Sequence, residues 1–187
     1  MKNFLKAFTG ILVLSLLLIS CKKDKDKGPT NYFKVGDTTY EVTGGVMENY
    51  GTEDWYDGYN IDLTLITSGI DVDEYGDWTG SGKAIYFEVF STSSSYLPSG
   101  EYVFDDTSNP YPTFSFDYAD YCINWTESTH TWIDITAGTL TITRSGSNYT
   151  IDLTGGIDES SNAVTAHYSG TLEYNDYDVK KTAKTRH

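Results

Sequence analysis

Positive charge is scarce in this chain. It carries 13 Lys and Arg against 27 Asp and Glu, a formal net charge of −14. Between Thr30 and Tyr177 the only basic residues are Lys34, Lys83 and Arg144. So acidic a domain repels phosphate backbones, which argues against nucleic acid as a partner; solubility is the plain reason for the charge. Helical periodicity is also lacking, since no window after residue 30 keeps apolar residues at a 3.6-residue spacing. The apolar run Ile11 to Ile19 is shorter than the roughly 20 residues a membrane helix needs. Catalytic and cofactor motifs are missing too. There is no Gly-x-Ser-x-Gly elbow. Gly76 to Lys83 lacks phosphate-loop spacing, and Ala84 stands where such a loop needs Ser or Thr. His130 and His167 show no metal-ligand spacing, and His167 falls in an outward phase with Thr165 and Ser169. No internal repeat is present.

What is abundant is alternation. Tyr, Thr, Val, Ile and Phe recur at every second position, as strands require. Tyr59, Ile61, Leu63 and Leu65 share one face, with Asn60, Asp62 and Thr64 on the other. Ile85, Phe87 and Val89 alternate with Tyr86 and Glu88. Phe114, Phe116 and Tyr118 share a phase opposite to that of Tyr121, Ile123 and Trp125, which predicts a bulge or sheet corner near Ala119 and Asp120. Gly36-Asp37 and Ser145-Gly146-Ser147-Asn148 read as hairpin turns, and Gly155 to Asn162 as a looser loop. The expectation is an all-β fold: a single antiparallel β-sandwich of about nine or ten strands. A closed lipocalin-like β-barrel is the alternative, and uneven strand lengths favour the sandwich.

The N-terminus carries a different signal. Lys2 and Lys6 precede the apolar run, which ends in Leu18-Ile19-Ser20-Cys21. This resembles the lipobox of a bacterial lipoprotein signal peptide. The resemblance implies cleavage before Cys21, lipidation of its thiol and acylation of the new N-terminus. Several acyl chains on one residue anchor stably where one would not. Lys22-Lys23-Asp24-Lys25-Asp26-Lys27-Gly28-Pro29 is too polar to fold and reads as a flexible tether. Together with the closing hairpins from Gly138 to Leu172, the N-terminus is similar to small all-β lipoproteins of the Bacteroidota type. In these, Lys and acidic residues after the Cys direct export to the cell surface, and Lys25 interrupts that acidic pair here. The implied layout is residues 1–20 as signal peptide, 21–29 as lipidated Cys and tether, 30–178 as the β domain and 179–187 as a basic tail. The implied location is the outer membrane, lipid-anchored, at the cell surface or else on the periplasmic face. With Cys21 lipidated, Cys122 has no disulfide partner and reads as an inert buried residue.

Two features suggest a site. Asp71, Asp73 and Asp77 sit close together around Gly76, and such carboxylates could hold Ca²⁺, although Tyr75 and Gly82 break the EF-hand pattern. No other cofactor is indicated. Trp55, Tyr56, Tyr75 and Trp78 lie in turn-like acidic segments that include Glu53, Asp54 and Asp57. Aromatic faces beside carboxylates suit the stacking and hydrogen bonding of a sugar; the plain alternative is that they pack loops onto the sheet. The leading expectation is a non-catalytic binding module for glycan or another extracellular ligand. A structural or assembly subunit of an envelope complex is the second, and a carboxylate-based hydrolase the third.

Overall fold

The computed structural model describes residues 28–73 and 76–178, so Cys21, Tyr75 and the basic tail lie outside the described residues. All elements within them are strands: β1 Tyr32–Val35, β2 Thr38–Glu41, β3 Gly44–Gly51, β4 Tyr59–Ile66, β5 Ile70–Val72, β6 Trp78–Ser91, β7 Gly100–Phe104, β8 Ser115–Thr126, β9 Ile133–Ser145, β10 Asn148–Asp158, β11 Ala163–Thr171 and β12 Glu173–Asp176. Eleven follow one hydrogen-bonded path in the order β12-β3-β4-β6-β8-β7-β9-β10-β11-β1-β2, and β5 pairs with the start of β6. The result is an all-β, mixed sheet that curls into a half-barrel. Twelve strands replace the expected nine or ten, because short β5 and β12 carry too few residues to show a period. The sheet is also not purely antiparallel: β12 runs parallel to β3, and β7 parallel to β8.

Two stretches of chain explain the curl. Only Val42 and Thr43 separate β2 from β3, and only Leu172 separates β11 from β12, yet these strands belong to opposite halves of the path. The Val42 amide donates to Asn31 O at 3.0 Å, and the next amide, Thr43, donates to Ile66 O on β4 at 2.8 Å. The chain changes partners from one end of the path to the other within one residue.

The expected inward face is the core. Ile61, Leu63 and Leu65 of β4, Ile85, Phe87 and Val89 of β6, and Leu140, Ile142, Ile151 and Leu153 of the β9–β10 hairpin join one buried cluster with Phe33, Tyr102 and Phe116. Each such side chain contributes roughly 1.5–3 kcal/mol by leaving water. The phase slip in β8 falls earlier than predicted, at Asp117 and Tyr118: Ala119 and Asp120 pair regularly with Phe87 and Tyr86, and the register shifts beside Glu88. The loop expected from Gly155 is mostly strand. β10 bulges there and runs on to Asp158, whose carboxylate accepts from Tyr121 Oη at 2.8 Å, Ser160 N at 2.9 Å, and Asn162 N and Nδ2 at 2.8 and 2.9 Å. Burial pushes that carboxyl up, but these donors outweigh burial and hold it below the ordinary range.

The opposite face of β4, β6 and β8 does not simply meet water. At one end Ile66, Ala84 and Cys122 form a second apolar cluster with Ile70 and Trp125. At the other end, polar side chains are held half-buried, and this is where a ligand could bind.

Candidate functional site

Alternation aims every second residue of these strands outward. Cross-strand register then sets Glu48 of β3 opposite Asp62 of β4, Asp62 opposite Glu88 of β6, and Glu88 opposite Tyr118 of β8. Directly opposed residues bring Cβ atoms to about 5 Å, so three carboxylates stand side by side. Asn60 donates its amide to Glu88 Oε1, and the Tyr86 hydroxyl bonds to Asp62.

The loop before β4 walls this row on one side. Tyr111 N–H donates to Trp55 O at 3.0 Å, and Asp57 N–H donates to Tyr111 O at 2.7 Å, so the loop is pinned to the segment before β8. The Phe90 ring stacks with Tyr56 at 5.1 Å and with Tyr111 at 5.2 Å between centroids. Trp55 stands edge-on to Tyr56 at 4.5 Å and keeps 44 % of its surface exposed. On the far side Tyr50 stacks with Tyr177 at 5.1 Å. Between these walls lies an open groove of about 310 Å³, lined by Tyr50, Glu53, Trp55, Tyr56, Asn60, Asp62, Tyr86 and Glu88. Its volume falls at the lower end of the range of small-molecule sites.

The electrostatics follow from crowding like charges in a half-dry place. Burial pushes the Asp62 carboxyl well above its usual value; the Tyr86 hydroxyl pulls it back, and the charges of Glu88, Glu48 and Asp117 push it further. Burial also raises Glu88, reinforced by Asp117 and opposed by the Asn60 amide. Tyr56 is pushed up to about 12 by burial and by Glu53 and Glu88. Chemically, the groove offers acceptor oxygens on its floor and aromatic faces on its walls.

The sequence-picked residues separate here. Trp55 and Tyr56 belong to the groove. Trp78 does not: it opens strand β6 and packs against Trp125 at 5.5 Å and Trp132 at 6.4 Å. It thus lies about 40 Å along the strand from Phe90 at strand rise. Asp71 lies on β5 with its side chain exposed. Asp73 and Asp77 close the β5–β6 hairpin, with Asp77 N–H donating to Asp73 Oδ1 at 2.9 Å. Among the described residues no three His, Cys, Asp or Glu side chains gather as a metal site. His167, expected on the surface, is half-buried with Nδ1 2.6 Å from Asp152 Oδ1. Cys122 is buried, as expected. Sequence reasoning passed over Asn60, Asp62, Tyr86 and Glu88, which it had placed only as the face opposite the core. Their signal was present: large or acidic side chains repeat on that face of two strands that turn out to be neighbours.

The fold and the groove define the class, an all-β domain with an acidic, aromatic-walled cleft on the outer face of its sheet. Beyond that, the chain matches no family model, no curated protein and no solved structure.

Proposed function

We propose that this chain is a lipid-anchored outer-membrane lipoprotein, exposed at the cell surface, whose β domain binds glycan in the outer-face groove without catalysis. One observation carries the reading: the half-exposed Trp55 ring lines the same groove as the hydrogen-bond acceptors of Asn60, Asp62 and Glu88. A sugar ring has an apolar face for the indole and hydroxyl donors for the carboxylates. The pinned loop keeps Trp55 in place before binding, which lowers the ordering cost. On architecture, we favour one curled wall around one core over two separate sheets, because a single buried cluster draws on strands from both halves of the path. The test is a glycan array probed with the wild-type chain and with Trp55→Ala. Binding that fades in the variant supports the groove as a glycan site, and an array without binders rejects it.

A second reading has its own observation. Asp62 and Glu88 are directly opposed, and both hold their protons above the ordinary carboxylate range. Paired carboxyls tuned in this way serve glycoside hydrolysis. A hydrolase releases reducing ends from polysaccharide and loses that activity in Glu88→Gln; a pure binder releases none in either form.

A further inference from the structure

We propose that the ligand of this groove carries a primary ammonium group: an amino sugar with a free amine, its nitrogen seated between Asp62 and Glu88 and its ring against Trp55. The proposal rests on the glycan reading above and names the class of sugar.

The hydrogen-bonding valences point first. The Tyr56 hydroxyl donates to Gly51 O at 3.1 Å, Tyr86 donates to Asp62, and the Asn60 amide donates to Glu88. Those donors are engaged, and what stays open on the floor is acceptor oxygen. Asn60 shows this most sharply: it is 8 % exposed, lines the groove, and its Oδ1 has no donor. A buried acceptor left unmet costs about 1–3 kcal/mol, so the ligand is expected to bring donors in number. An ammonium brings three; a hydroxyl brings one.

Charge then decides between them. No cation of the described residues answers the floor carboxylates. Lys34 pairs at 4.0 Å with Asp37, Lys83 lies over the Tyr40 ring at 5.6 Å, and Arg144 lies over Tyr96 at 4.4 Å. A neutral sugar leaves Asp62 and Glu88 directly opposed, with no positive charge to favour their ionised forms. An ammonium supplies that charge and makes charge-assisted hydrogen bonds to them, roughly twice as strong as neutral ones. The aromatic lining agrees, because Trp55 and Tyr86 both border the groove and aromatic rings attract cations. The elevated carboxyls are a further support: a bound ammonium takes the place of the protons that otherwise quiet this floor.

The experiment is calorimetric titration of the full chain, purified in detergent, with three β-1,4-linked oligomers of equal length, of glucosamine, N-acetylglucosamine and glucose. The glucosamine oligomer is expected to bind at least about tenfold tighter than the other two, with the advantage weakening as salt rises. Asp62→Asn and Glu88→Gln, both close in shape, are expected to erase the advantage while thermal melting confirms the fold. Equal affinity across the three oligomers, or preference for an uncharged one, overturns the ammonium and leaves the glycan reading standing. The same holds if the glycan array shows only amine-free binders. An array without binders removes both.

Discussion

Asp120→Asn should stabilise this domain, and the gain should depend on pH in one direction only. Asp120 lies on β8 opposite Tyr86 on one side and Asp134 on the other, and is 4 % exposed. Its Oδ2 accepts from Tyr118 Oη at 3.0 Å, while its Oδ1 has no partner. Burial raises the carboxyl to about 7, the Tyr118 hydroxyl pulling it down and the Asp134 charge pushing it up. An unfolded aspartate titrates near 3.9, so the folded chain binds the extra proton between those values. The sign follows. This carboxyl costs the fold nothing below about pH 3.9. Its cost grows through the window and is complete above about pH 7, where it reaches roughly 4 kcal/mol. Asparagine keeps the acceptor for Tyr118 and has no charge to desolvate, but it brings an amide to be satisfied, a cost of about 1 kcal/mol. The net expectation is a gain of about 3 kcal/mol near pH 8.5 and a change close to zero or slightly negative near pH 4. Urea unfolding at both pH values reads it directly, with equal slopes required for wild type and variant. A gain of the same size at both pH values would refute the reasoning, as would a loss that grows with pH.

Other outcomes follow from the same geometry. Trp55→Ala should keep stability within about 1 kcal/mol, since the ring is half-exposed, while weakening glycan binding by about 2 kcal/mol, roughly thirtyfold, in paired melting and titration measurements. Trp78→Ala should do the reverse: loss of the Trp125 and Trp132 contacts should cost about 2–3 kcal/mol on melting and leave affinity alone. Chelator tests the Asp71, Asp73 and Asp77 loop, where Asp73 Oδ1 already accepts from Asp77 N–H: a drop in melting temperature that Ca²⁺ restores supports bound Ca²⁺, and an unchanged melt rejects it. Cys21→Ala should release the protein from membranes, and a variant that stays in the membrane pellet after a high-salt wash contradicts the lipid anchor.

The core was legible because period-2 alternation says which residues share a face. Ile61, Leu63, Leu65, Ile85, Phe87 and Val89 all point where the pattern put them. The hairpins at Gly36-Asp37 and around Gly146 were legible through their turn residues. Alternation does not name a strand's neighbours, however, and the groove is made of neighbours. Glu48, Asp62 and Glu88 are dozens of residues from one terminal member to the other, and only register aligns them. The same gap misplaced Trp78. An acidic, Gly-rich setting looks like loop in sequence, yet β5 pairs with β6 there, Val72 opposite Trp78, and draws the indole into a strand. The parallel pairings were invisible for a related reason, since alternation carries no sign of a partner strand's direction.

The single residue between β11 and β12 also sets an order of events. β12 is the last strand among the described residues and pairs with β3, so that Asn49 Nδ2 donates to Asp176 Oδ1 at 3.1 Å across 127 positions. Contacts this far apart must wait for a large loop to close, which slows folding. For a chain delivered N-terminus first, the early strands β1 to β4 emerge with one edge of β3 unpaired. That edge cannot be covered until residue 176 has arrived. Along the described residues, then, that edge of β3 is among the last parts of the sheet to be covered.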